Sequence, residues 1–236
     1  MKILAIDTSA KSASAAVVEN GRILGEFFIN TMLTHSETLM PMIDAVLAST
    51  RIDLSDIGCF AVNTGPGSFT GLRIGIAAVK GMAYALSTPC AAVSTLESMA
   101  YNISEPDTIV CAVMDARCDQ VYNALFDVSA GVPERICEDR ALTIAELAGE
   151  LETIDKKIVL VGDGAELCMK KMSGISCDLH IAPENVRFQR ASSTALAAEK
   201  LIDSGDLTEG GALMPKYLRL PQAQRELIAK QNSLSK

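Results

Sequence analysis

Four glycines and a proline fall within the run Asn63-Thr64-Gly65-Pro66-Gly67-Ser68-Phe69-Thr70-Gly71-Leu72-Arg73-Ile74-Gly75, between one apolar stretch and the next. Backbone freedom at that density serves a sharp connection and the close approach of another main chain. The preceding Ile57 to Val62 reads as a short buried strand, and Leu72 to Leu86 as a long helix capped by Ser68 or Thr70. A helix N-terminus after a glycine turn is an anion site in some folds. Here no lysine follows Gly71 and the spacing is not GxGxxG, so a phosphate loop cannot be read from spacing. Gly65, Gly67 and Gly71 are read as structural turn glycines.

The helix after the turn is apolar nearly all round, with charge only at Arg73 and Lys80. Such a helix has two faces to bury. A second helix, Ser36 to Ala48, shows a similar excess at Leu39, Met40, Met42, Ile43, Val46 and Leu47, with Pro41 kinking it or marking its first turn. Two readings fit. Either these are central helices of a large core, or their surplus apolar surface meets a helical partner, a use to which methionine is suited. On the second reading the partner-facing residues are Leu39, Met42, Ile43, Val46, Gly71, Leu72, Gly75, Ile76, Val79, Met82 and Ala83.

The chain has 236 residues, 49% of them hydrophobic, enough for one large or two modest cores. Its net charge of -8 is spread along the chain. Without a basic stripe it is a poor binder of nucleic acid by itself, because phosphate contacts supply most of that affinity. Seven cysteines, an odd number with no CxxC pair, read as reduced thiols of a cytoplasmic protein. Two histidines, His35 and His180, are too few for a histidine-rich metal site, and no metal is expected. The first apolar run stops at Asp7 and Lys80 interrupts the longest apolar helix, so neither an export signal nor a membrane span is expected.

Lys2 to Thr8, Ala13 to Val18 and Arg22 to Ile29, with Asn20-Gly21 between the last two, read as an antiparallel meander. Helices and strands then alternate through Cys90 to Val93 and a helix over Ser94 to Asn102, which indicates a mixed sheet covered by helices. Near Pro106 the pattern restarts. Thr108 to Asp115 mirrors Ile3 to Asp7, and an alternating strand (Gln120 to Asp127), a turn at Gly131, a helix (Thr143 to Glu152), a strand (Lys157 to Val161) and Gly162-Asp163-Gly164 follow. The fold class is therefore α/β, with two similar domains over residues 1–104 and 105–236, the last helix packing back on the first domain. An apolar strand ending in Asp before a turn is also common without duplication.

Ile6-Asp7-Thr8-Ser9, His35-Ser36-Glu37, the glycine run from Asn63, Asp115-Ala116-Arg117 and Pro215-Lys216-Tyr217-Leu218-Arg219 together resemble the TsaB family of bacterial tRNA threonylcarbamoyladenosine biosynthesis subunits, once labelled glycoprotease-like. The resemblance implies the two-domain fold of actin, sugar kinases and Hsp70 ATPases. There, hairpins of the Asp-x-Ser/Thr type approach nucleotide phosphates, which would give Asp7, Thr8 and Ser9 that role, or leave Asp7 as a hairpin cap. The second hairpin lacks a hydroxyl at Arg117, and no firmly bound cofactor is expected, at most weak ATP or ADP in a complex. The related catalytic family, TsaD, carries a His-x-x-x-His metal pair where this chain has Thr95 and Met99. His35, alone at a helix start, is expected to cap or pack. The implied function is a non-catalytic architectural subunit that binds TsaD, with TsaE as a further partner, tRNA met only through the complex, and a homodimer when alone. The alternatives are a small-molecule kinase of the same superfamily and a peptidase, for which two separate histidines supply no evident base or metal pair.

Overall fold

The computed structural model describes residues 1–31 and 33–219. The first half runs β1 (Lys2–Asp7), β2 (Ala13–Glu19), β3 (Arg22–Ile29), α1 (His35–Thr50), β4 (Cys59–Gly65), α2 (Phe69–Leu86), β5 (Cys90–Ser94) and α3 (Thr95–Ala100). The second runs β6 (Thr108–Asp115), β7 (Gln120–Asp127), β8 (Glu134–Arg135), β9 (Arg140–Thr143), α4 (Ile144–Leu151), β10 (Lys157–Val161), α5 (Ala165–Lys171), β11 (Leu179–Ile181), α6 (Glu184–Arg187) and α7 (Ala191–Ser204). The strands form two sheets, ordered β3-β2-β1-β4-β5 and β8-β7-β6-β10-β11, with β9 also paired to β7. In each sheet the leading strand lies antiparallel to the next strand in sequence and parallel to a later one, β4 or β10. The restart near Pro106 is thus a repeat of topology.

Alternation along β1 divides the first sheet between two cores. Leu4 and Ile6 face α1 and α2, packing with Phe60, Val62, Leu39, Ile43, Val46, Ile76 and Val79. Ile3 and Ala5 face the other way, toward Ala16, Ala61, Ala91 and the α7 residues Ala191, Ala195 and Ala198. Small side chains on both partners let α7 lie close to the sheet at interior packing density. The second sheet is covered by α3 on one face, through Leu96 and Met99, and by α4 and α5 on the other, through Leu147, Leu151 and Cys168.

This packing corrects the partner-facing assignment. Leu39, Met42, Ile43, Val46, Leu72, Ile76, Val79, Met82 and Ala83 are all buried within the chain, and Gly71 and Gly75 lie against Thr8. The surplus on α2 has internal uses: one side meets the sheet and α1, while the chain after α7 packs alongside, with Leu213 in the same core and Gly210 against Ala83. Some bounds also differ. β4 starts at Cys59 and continues to Gly65, and α2 starts at Phe69, with the Ser68 hydroxyl accepting from the Gly71 amide at 3.3 Å. Pro41 lies in the second turn of α1, exposed, and the helix starts one residue earlier at His35. No helix among the described residues is long and apolar enough to cross a membrane.

Candidate functional site

The two leading strands end in matching turns. The Ser9 amide and hydroxyl both donate to Asp7 Oδ1 at 2.8 Å, and the Arg117 amide donates to Asp115 Oδ1 at 2.7 Å. In each case the carboxylate caps its own hairpin. Between these turns lies a cleft of roughly 550 Å³, walled on one side by Ser9, Ala10, Lys11 and Gly67 to Thr70, and on the other by Met114 to Arg117, Tyr122 and Asp163.

The glycine turn closes on the first hairpin. A β-carbon on Gly67 would lie 2.5 Å from the Ser9 carbonyl oxygen and one on Gly71 2.0 Å from that of Thr8. The Ser68 amide donates to the Ser9 carbonyl at 2.7 Å, and the Thr8 hydroxyl donates to the Gly71 carbonyl at 2.8 Å. The main chain that the glycines admit is therefore the β1–β2 hairpin. Gly65, at φ +135°, admits a second one, since its β-carbon would lie 2.3 Å from the Lys216 carbonyl oxygen.

Asp7, Thr8 and Ser9 are buried, and the hydrogens of both hydroxyls are spent inside the chain. The second Asp7 oxygen accepts from the Asn63 side chain. Burial pushes the Asp7 carboxyl up, against the lowering effect of the Ser9 and Asn63 hydrogen bonds and of nearby His35. The side-chain groups of Asp7, Thr8 and Ser9 are thus engaged with the hairpin itself, with Asn63 and with the glycine turn. His35 Nε2 lies 2.7 Å from the Ala10 carbonyl oxygen, tying the start of α1 to the same hairpin.

On the far wall, burial raises the Asp163 carboxyl to about 6, offset by the Gln189 hydrogen bond and by Lys11 and reinforced by Asp115. Gln189 Nε2 donates to Asp163 Oδ1 at 3.1 Å, and its Oε1 accepts from the Ser12 hydroxyl at 3.4 Å, so this side chain bridges the two halves. Gln189 carries no sequence signal for that place. Thr95 and Met99 sit fully buried on α3, and the Thr95 hydroxyl has no hydrogen-bond partner. Among the described residues no group of three or more His, Cys, Asp or Glu side chains is arranged to hold a metal.

A family model for TsaD, tRNA N6-adenosine threonylcarbamoyltransferase, matches residues 23–226. The tRNA threonylcarbamoyladenosine biosynthesis protein TsaB of Bacillus subtilis (strain 168) is 28% identical over 98% of this chain and 100% of its own length. That of Buchnera aphidicola subsp. Schizaphis graminum (strain Sg) is 31% identical over 69% of this chain and 78% of its own. The chain belongs to the TsaB family. A crystal structure from Pseudomonas aeruginosa, described as an uncharacterized protein with similarity to peptidase YEAZ, superposes at a TM-score of 0.80 with 27% identity, over 92% of this chain and 99% of that one. A ROK hexokinase from Thermus thermophilus, 11% identical at a TM-score of 0.50 over 86% of this chain and 100% of its own, shares the fold alone. This TsaB-family chain thus has the fold of the actin, sugar kinase and Hsp70 group, with a first hairpin whose polar groups are turned inward.

Proposed function

We propose that this TsaB-family chain is a non-catalytic, architectural subunit in the formation of threonylcarbamoyladenosine in tRNA, acting by binding a TsaD-type enzyme, with TsaE as a further partner. The observation that carries this reading is the outer face of α2. Ala77, Gly81, Tyr84, Ala85 and Leu86 are exposed and Ile74 and Ala78 half-buried, with Tyr84 89% accessible. Arg73 and Lys80 are the charged residues of this helix, so most of the open face is apolar or small. Small residues at Ala77, Gly81 and Ala85 recur every four positions and let a second helix come close. This face replaces the buried one as the candidate contact, and Met40 of α1 is also exposed.

Two features support the absence of chemistry in this chain. The first hairpin commits its hydroxyls internally, and Thr95 and Met99 are core side chains where the TsaD resemblance places metal-binding histidines. Alone, the same face would pair two copies of the chain, since exposed apolar patches seldom stay open to water.

Gel filtration of the chain mixed with the TsaD-type enzyme of the same organism tests the proposal. A stable complex is expected from the native chain, with loss of the complex in Tyr84→Glu. Persistence of the complex in a folded Tyr84→Glu protein would move the contact elsewhere. ATP turnover by the purified chain would revive the kinase reading.

A further inference from the structure

We infer that Leu213 to Arg219 forms a strap that sets how far the cleft opens. The chain leaves α7, makes an antiparallel bridge from Thr208 to Cys90, and enters the first core at Leu213, which is buried. The Lys216 amide then donates to the Thr64 carbonyl at 2.7 Å, seated against Gly65, where no side chain fits. The Tyr217 ring stacks on Phe69 with centroids 4.1 Å apart, and its hydroxyl accepts from Arg73 Nε at 2.8 Å. Two residues on, Arg219 Nη1 donates to the Ala116 carbonyl at 2.6 Å.

Phe69 lines one wall of the cleft and Ala116 the other. The strap is thus anchored in the first domain at Leu213, Lys216 and Tyr217, and its Arg219 bond reaches the capping turn of the second. A backbone carbonyl is a fixed acceptor, and a guanidinium donor makes this bond charge-assisted. Gln189 joins the walls deeper in, between Ser12 and Asp163. The strap is a tie at the surface, where Tyr217 and Leu218 remain about one-third exposed. Without the Arg219 bond the capping turn of the second domain loses its surface tie to the first. Without Tyr217 the strap loses both its aromatic seat and the Arg73 latch. All of these contacts lie within the free chain and need no partner.

Hydrogen exchange followed by mass spectrometry on the full chain tests it with Arg219→Ala and Tyr217→Ala. Both variants are expected to accelerate exchange roughly tenfold or more at residues 66–70 and 114–120, with rates in the interiors of β1, β4 and β6 unchanged. Tyr217→Phe, which keeps the stack and loses the bond from Arg73, is expected to fall between native and Tyr217→Ala. Unchanged exchange at both walls in Arg219→Ala would overturn the inference. Acceleration spread evenly through both sheets would overturn it too, since that marks a contact that only stabilises the fold; Arg219→Ala removes no buried side chain and keeps this readout available if Tyr217→Ala unfolds.

Discussion

Two glycines on α2 separate packing from exposure. Gly71 leaves a β-carbon only 2.0 Å from the Thr8 carbonyl oxygen, whereas Gly81 leaves it nothing within 4 Å. Gly71→Ala is therefore expected to cost about 3 kcal/mol or to abolish soluble expression, because the neighbour is rigid backbone. Gly81→Ala is expected to add up to about 1 kcal/mol through helix propensity. Urea denaturation of the two variants measures both. The glycine demand was legible in the sequence because close approach requires glycine whatever its partner, while the identity of the partner was not. Asp163 makes a sharper contrast. Its carboxyl, ordinarily near 3.8, is raised to about 6 chiefly by burial, so between those values the folded chain holds a proton that the unfolded chain has released. Stability from this group is full below the lower value and is lost as pH rises through the upper one. Asp163→Asn should flatten that slope and raise stability at pH 7 by about 2 kcal/mol, discounted for a side chain that still borders the open cleft. Equal slopes in urea titrations of the two proteins from pH 4 to 7 would contradict it. Nothing near Asp163 in sequence announces this, because the burial comes from contacts such as Gln189, 26 positions away.

For the helices, the apolar excess was legible and its direction was not. Both α1 and α2 carry more apolar surface than one contact requires, and composition cannot say which residues the sheet takes. The C-terminal segment decided it, by bringing Leu213 and Gly210 against a side of α2 that sequence reading had left open. Adjacent positions now give opposite expectations. Ile76→Glu places an unpaired charge in the first core and should cost about 4 kcal/mol or more, read as loss of cooperative unfolding. Ala77→Glu points outward and should leave the melting temperature within a few degrees while abolishing association with the TsaD-type enzyme. A complex that survives Ala77→Glu would argue against the outer face of α2. The sequence leads one to expect a last helix packed back on the first domain but does not bound α7, for a related reason. Its buried side includes Ser192, Ser193 and Thr194, hydrogen-bonded to Glu26, Asn102 and Ser98, so the apolar contrast that marks a helix is faint.

At the scale of the whole molecule the two halves are similar in topology but not independent. Repeated strand order was legible as a restart at Thr108, since each half begins with an apolar strand ending in Asp before a hairpin. What the restart did not reveal is how the chain closes its first sheet. One face of that sheet, with Ile3, Ala5, Ala16, Val18, Cys59, Ala61 and Val93, is covered by α7, which lies beyond the whole second sheet in sequence. Glu26 of β3 fixes the start of that helix, accepting from the Ser192 amide at 3.0 Å and the Ser192 hydroxyl at 2.9 Å while Arg190 pairs with its other oxygen at 2.6 Å. A fragment ending at residue 104 keeps α1 and α2 but leaves this apolar face open to water. Each buried aliphatic side chain exposed there forfeits on the order of 1 to 3 kcal/mol, and several such losses exceed a typical margin of stability. The fragment 1–104 is therefore expected to aggregate when produced alone and to become soluble when produced together with 105–236, the two pieces purifying as one complex. The intact chain should unfold in a single transition by calorimetry, with calorimetric and van't Hoff enthalpies in agreement. A soluble, cooperatively folded 1–104 would show that α7 is dispensable to the first sheet, and two resolved calorimetric transitions would show that the halves fold separately.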